Sequence, residues 1–391
     1  MSMPPDHDPV PPPRPSYRPP PPRQPPPPPR GSLLGVAFVL SVLLNLFLII
    51  GAGVVVLVLV VVAASGGEGT LQEKLYAGKS TASDKIAVIK IDGVILEGLL
   101  NYVHKEIDTA AEDKNVKAVI VRIDSPGGSI TASDDLYKRL VNLRDGDPVK
   151  KTDGKKHLVV SMGGLAASGG YYVAMPGHPL IAERTTMTGS IGVYTALPNV
   201  AKLAQKYGVE MDIIKRGEVK ASGSLFKELT PEERQVWQES VDAAYGQFEH
   251  VVEEGRPNLK GKLEEYVINR PMKGKDAEGK EVAFTYRRQR ADGGIFTADA
   301  ALKYGLIDKI GYLDDAIQEA KQAAGLGDDY KVVTYDKLFS LQDMFVSGQA
   351  SGRGAAQLDL KKLSAGVSPR LWYLASQSEL SGILRVVGRR E

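Results

Sequence analysis

The sequence predicts an α/β domain in which parallel strands are joined by helical crossovers, with one long apolar segment ahead of it. Three observations carry this reading. Continuous apolar runs such as Val116–Ile123 and Leu158–Met162 have the length and β-branched content of buried strands. Stretches between them show helical spacing, as Leu136, Leu140 and Leu143 do. Strand and helix alternate over residues 85–325, the pattern of βαβ units built around one core.

Taken in order, Ile86–Ile91 reads as a strand with Asp92-Gly93 as its turn, and Ile107–Asp113 as part of a helix. Val116–Ile123 is a buried strand running into Asp124-Ser125-Pro126-Gly127-Gly128, a glycine turn, and a helix occupies Ile130–Leu143. Residues 144–157 are hydrophilic and read as an exposed insertion. Strand Leu158–Met162 leads to a helix that opens near Ser168 and stops at Pro176-Gly177. Leu180–Ala182 is a short strand, Thr188–Val193 follows it, Asn199–Tyr207 is a helix and Met211–Ile214 a strand. Thr230-Pro231-Glu232-Glu233 has an N-cap, a proline at N1 and a glutamate at N3, so a helix should start there and run to about Glu254. Gly274–Glu281 is polar and reads as a second surface insertion. Residues 336–391 mix small residues with amphipathic pieces such as Leu371-Trp372-Tyr373-Leu374 and fix no element.

The ends are compositionally biased. Residues 1–30 hold most of the 25 prolines, with Arg14, Arg18, Arg23 and Arg30 between them, and read as an extended, disordered cytoplasmic tail. Gly31–Gly67 carries no charge, and its apolar stretch 33–64 exceeds the ~20 residues that span a bilayer. A transmembrane helix is expected there. The arginines on its N-terminal side, against Glu68 and Glu73 beyond it, place the N-terminus in the cytoplasm and the rest outside. Residues 65–84 read as a linker, 85–325 as the globular domain and 326–391 as a C-terminal extension.

No cysteine is present, which excludes disulfides, thiolate metal sites and a cysteine nucleophile. A net charge of +2 without a basic stripe argues against nucleic-acid binding. None of the five histidines stands at helical spacing from another, so no metal pair is indicated; neither metal nor cofactor is expected.

Ala166-Ala167-Ser168-Gly169-Gly170-Tyr171-Tyr172 sets a hydroxyl among small residues at the end of a strand. Ser168 there has an uncrowded Oγ at a helix N-terminus, which favours developing negative charge. A serine nucleophile needs a base. His104, His157, His178 and His250 stand in settings that do not suggest a triad, although a Ser-His-Asp arrangement stays open. The alternative is a lysine held neutral by burial, and Lys220, among small residues in Gly217–Gly223, fits. Taken alone it reads as a solvated loop lysine. Gly127, Gly128 and Gly169 offer backbone N–H groups for an oxyanion, although Pro-Gly-Gly alone is an ordinary turn.

These pieces, in this order, resemble the signal peptide peptidase A family of membrane-bound serine peptidases. The matching motifs are Asp124–Gly128, Ala166–Ala174, Thr188–Val193, Gly217 with Lys220 ahead of Thr230–Glu233, Ala291–Thr297 and Gly305–Asp308. The resemblance covers about residues 85–320 and implies a Clp-protease/crotonase-type spiral of βαβ units, assembled as a homo-oligomeric ring. It implies Ser168 as nucleophile, Lys220 as general base and Ser190 as the hydroxyl that orients the lysine. Gly127, Gly128 and Gly169 form the implied oxyanion region, and Lys220 can serve Ser168 of an adjacent subunit.

The implied activity is endopeptidase cleavage of hydrophobic peptides such as signal peptide remnants, at the outer face of a bacterial cytoplasmic membrane. A non-catalytic scaffold and an acyl-CoA hydratase or isomerase are the rival readings. Two departures stand out. Gly294 stands where the family commonly has arginine, and the segments at 144–157 and 272–288 are longer than expected.

Overall fold

A computed structural model describes residues 38–51, 71–147, 149, 155–275, 279–337 and 371–374. The chain divides into two units, Met1–Gly67 and Glu68–Glu391. In the first, residues 38–51 are helical (α1), with exposed apolar side chains such as Phe38, Leu43 and Phe47. Among the described residues no helix is long and apolar enough to cross a membrane. The remainder of the expected span 33–64, and the proline-rich tail, lie outside the described residues.

The second unit is a mixed α/β domain with a parallel-rich central sheet. Its main path runs β1 (Leu71–Gly78), β12 (Tyr330–Lys337), β2 (Asp84–Ile95), β3 (Val116–Ser129), β4 (His157–Ala167), β5 (Leu180–Ala182) and β11 (Lys309–Ile310). From β12 to β11 every neighbouring pair is parallel, whereas β1 closes one edge antiparallel to β12. Parallel neighbours need crossovers, and the intervening helices supply them.

Burial on both faces explains the apolar strands. In β2, Ala87, Ile89 and Ile91 enter one core cluster and Ile86 and Val88 the other. The first face is covered by α2 (Asn101–Glu112), α3 (Ile130–Asp145), α4 (Gly169–Tyr172) and α6 (Pro231–Gly255). The second is covered by α8 (Leu313–Ala323) through Ala316, Ile317 and Ala320. The expected cap of α6 is present: Thr230 accepts from the Glu233 N–H, and the Glu233 carboxylate accepts from the Thr230 N–H.

Tertiary pairing changes several local readings. Asp92-Gly93 does not end its strand; β2 passes through an irregularity there to Ile95, with Gly93 at φ 78°. The glycine turn at 124–128 is likewise drawn into β3, because the continued β2 pairs as far as Gly128. Leu71–Gly78, inside the expected linker, forms β1. Met211–Ile214 is not a strand: it is irregular, and Ile214 is fully exposed. An apolar run forms a strand only where it pairs with another, and among the described residues this one pairs with none. At the expected insertion Gly274–Glu281, Gly274 and Lys275 end β8 (Tyr266–Lys275) and pair antiparallel with Val282 and Glu281 of β9 (Glu281–Gln289), while 276–278 lie outside the described residues.

Candidate active site

The site is assembled where β4 and the short β6 (Met187–Gly189) end together. They are parallel, with Ala166 paired to Thr188 and Ala167 to Gly189. Ser168 and Ser190 are therefore the next residues on neighbouring strands, and both leave the sheet with left-handed backbone, at φ 54° and 53°. For a residue with a Cβ such a conformation costs about 1–3 kcal/mol and persists only where the surroundings impose it. The surroundings here are specific. Ser168 N–H donates to Gly189 O at 2.7 Å, Ser190 N–H to Gly294 O at 3.0 Å, and Thr188 Oγ1 to Ala166 O at 2.6 Å.

The strand–serine–helix geometry at Ser168 is that of a nucleophile elbow. Small residues permit it. A Cβ on Gly170 would come 2.7 Å from Ser125 O, and one on Gly169 would come 2.5 Å from Ser133 Oγ and 3.1 Å from Gly128 N. The Ser168 hydroxyl is buried and has no hydrogen-bond partner. Burying a hydroxyl without a partner is costly, so this one stands ready for a group that arrives.

The helix after Ser168 is shorter than the sequence suggests. It is a single turn, Gly169–Tyr172, followed by turns to Gly177. A helix dipole therefore contributes little, and the local N–H groups at its start matter more. Of the expected oxyanion glycines, Gly127 already donates its N–H to Ser125 Oγ at 3.1 Å. Gly128 and Gly169 face one another across the small gap just described.

Ser190 donates its hydroxyl to Gly293 O at 2.9 Å and is buried. Lys220 is exposed on a turn, and it is not hydrogen-bonded to Ser168 within one chain. Its loop is nevertheless held in place. Trp237 Nε1 donates to Ser222 Oγ at 2.7 Å, Val200 N–H to Leu225 O at 2.7 Å, and Lys227 pairs with Glu233 at the start of α6. The lysine partner holds the Glu233 carboxyl below its usual range. Apolar side chains are exposed along the same stretch: Leu203, Tyr207, Val209, Met211, Ile214 and Val219.

No described histidine is hydrogen-bonded to Ser168. His178 and His250 are largely exposed and lie beside Asp308 and Glu254, while burial pushes His104 down. His157 is exposed. Sequence reasoning missed Ser133, whose hydroxyl is fully buried, without a partner and packed on Gly169. Its signal was available: a serine in the first turn of a helix that begins directly after Gly127-Gly128-Ser129.

A family model described as peptidase family S49 matches residues 150–283 and 277–327. A putative protease of Synechocystis is 36% identical over 251 residues, covering 64% of this chain and 78% of the relative. A putative signal peptide peptidase SppA of Enterococcus faecium is 30% identical over 268 residues, covering 66% and 68%. A chloroplastic serine protease SPPA of Arabidopsis thaliana is 31% identical over 325 residues, covering 80% of this chain but only 43% of that longer protein. With the serine elbow and these relatives together, the chain belongs to peptidase family S49, as a serine-type peptidase of the signal peptide peptidase A kind.

Proposed function

We propose that this chain is a membrane-anchored endopeptidase in which Ser168 is the nucleophile and Lys220 the general base, working on extended hydrophobic peptides such as signal peptide remnants. The observation that carries the reading is the buried, unpartnered Ser168 hydroxyl on left-handed backbone between a strand and a one-turn helix. Ser168 Oγ attacks the scissile carbonyl carbon while Lys220 Nζ takes its proton. Gly128 and Gly169 N–H groups hold the oxyanion, a contribution of roughly 2.7–4 kcal/mol per donor. The C–N bond breaks, and the amine leaves with the proton from the lysine. Water deprotonated by Lys220 then attacks the ester, releasing the acid and restoring the hydroxyl.

The lysine serves Ser168 of an adjacent copy. Lys220 is exposed and unpaired with Ser168 in its own chain, on a braced loop flanked by exposed apolar residues. Covering that surface with a second copy would bury the apolar residues and desolvate the amine, which favours its neutral, basic form. The ring-like oligomer and the Clp-protease/crotonase-type spiral belong to this same reading. So do Ser190 as the lysine's positioning hydroxyl, an anchor at 33–64 and a catalytic domain outside the cytoplasmic membrane.

Ser168→Ala and Lys220→Ala should each lower cleavage of a fluorogenic hydrophobic peptide by about 10²–10⁴-fold. Dissociating and co-assembling the two inactive variants should restore part of the activity, since some sites then receive both side chains. Full activity in either single variant would sink the pair. Loss in both with no recovery on mixing would confine the dyad to one chain.

A further inference from the structure

Among the described residues, β8 and β9 pair only with each other, a ribbon apart from the central sheet. At its base Arg288, near the end of β9, pairs with Asp292 and lies over the Phe296 ring. Beyond the base most of its side chains are exposed. Directly opposed residues share a face, and the register sorts the ribbon into two unlike surfaces. Arg270 opposite Tyr286, Met272 opposite Phe284 and Gly274 opposite Val282 make one. Asn269 opposite Arg287, Pro271 opposite Thr285 and Lys273 opposite Ala283 make the other.

The first face is apolar and uncovered: Phe284 is 46% exposed, and Met272 and Val282 are each 37% exposed. Gly274 makes room for the ring, since a Cβ there would come 2.8 Å from Phe284 Cε1. A two-stranded ribbon is marginal in water by itself, and an exposed apolar face rimmed by charge marks a contact surface. Charge decides the occupant. Residues 266–289 hold six Lys and Arg against three Asp and Glu, a net of +3 where the whole chain has +2. Two copies docked ribbon to ribbon would set like charges together. The hydrophobic peptides proposed as substrate bring no negative charge to these cations. An anionic lipid surface answers both features, and the stems of Lys273 and Lys275 are long enough to reach headgroups around a ribbon two strands wide.

Resting on the membrane-anchored reading above, we propose that the hairpin 266–289 is a second membrane contact, laying Met272, Val282 and Phe284 into the interface of an anionic bilayer with Arg270, Lys273 and Lys275 on lipid phosphates. The anchor read at 33–64 is joined to β1 at Leu71 by residues 65–70, about 20 Å at full extension. So short a tether gives the hairpin a high effective concentration at the surface, and a weak contact suffices. The contact also bears on the candidate site. Arg288 at the hairpin base lies against Gly294, and Gly293 O and Gly294 O accept from Ser190. The part of the domain beside the candidate site is therefore the part that meets lipid.

The chain has no cysteine, so a single introduced thiol labels cleanly. Val282→Cys and Ala283→Cys put an environment-sensitive fluorophore on neighbouring residues of opposite faces. Each full-length chain is reconstituted in nanodiscs of phosphatidylcholine with or without phosphatidylglycerol. With phosphatidylglycerol, the label at 282 should be quenched several-fold more by nitroxide-bearing acyl chains than the label at 283, and be shielded from aqueous iodide. Arg270→Gln, Lys273→Gln and Lys275→Gln together, with Arg288 untouched, should lower the docked-to-free ratio on the order of 10²-fold, about fivefold per cation. Raised salt should act the same way. Iodide quenching at 282 that is equal in both lipids and in the triple variant would overturn the proposal. So would shielding that persists in detergent, which assigns the face to a second copy, or shielding that appears only with added hydrophobic peptide, which assigns it to substrate. Carbonate extraction from vesicles reads the anchor separately. A chain released by carbonate whose label at 282 is still shielded by added anionic vesicles would sink the anchor and keep the hairpin contact.

Discussion

The guanidinium of Arg288 occupies the space that a side chain on residue 294 would take. A Cβ built on Gly294 would overlap Arg288 Nη2, which lies at the end of β9 and pairs with Asp292. The same guanidinium stands 4.6 Å over the Phe296 ring. The hairpin thus brings a guanidinium from the end of β9 against Gly294. The neighbourhood matters for the site, because Gly293 O and Gly294 O both accept from Ser190.

Gly294→Ala should therefore cost about 1–3 kcal/mol, as overpacking does, and lower activity through Ser190. Arg288→Ala in the same chain should recover much of the loss, with a coupling of about 0.5–3 kcal/mol in a double-mutant cycle by denaturant unfolding. Additive effects would show that the two residues do not share the space.

Ser133 predicts a trade between stability and activity. Its buried, unpartnered hydroxyl packs on Gly169, one residue from Ser168. Ser133→Ala should leave stability unchanged or raise it by about 1 kcal/mol, since an unsatisfied polar group is removed. If the hydroxyl positions the Gly169 peptide for the oxyanion, kcat should fall several-fold at constant KM, and Ser133→Thr should retain more activity than alanine. A chain with unaltered kcat would assign Ser133 to packing alone.

Glu106 makes stability depend on pH in an unusual direction. Burial on α2 pushes its carboxyl up to about 8, against a partial offset from the Lys90 backbone and charge, while Asp92 and Asp336 push it further. The folded chain therefore keeps a proton that the unfolded chain releases above pH 4.5. Full stability is present below that value and falls as pH rises towards 8, by roughly 4 kcal/mol for this group. Glu106→Gln should flatten the decline when urea unfolding is compared at pH 5 and pH 8. Parallel slopes in the two chains would place the pH dependence elsewhere.

Much of this is written locally in the chain. Buried strands such as Val116–Ile123 follow from apolar runs that need cover on both faces, and the start of α6 from a capping box that three residues complete. Ser168 is legible because a hydroxyl among alanines and glycines at a strand end has few other purposes. Met211–Ile214 misleads for the opposite reason: apolar content favours a strand, but only a free sheet edge makes one.

The sequence by itself determined the α/β class, the family, the serine set among small residues at a strand end and the apolar segment ahead of the domain, because each depends on residue type at short spacing. Only the tertiary structure decided the rest. It set Ser168 beside Ser190 through the parallel register of β4 and β6, and it carried β3 on through Gly127–Ser129. It brought Arg288 to Gly294, Ser133 to Gly169 and the strand at 371–374 to the end of β3. These are contacts between residues far apart in the chain, and what fixes them is pairing and close packing, which no local run of residues encodes.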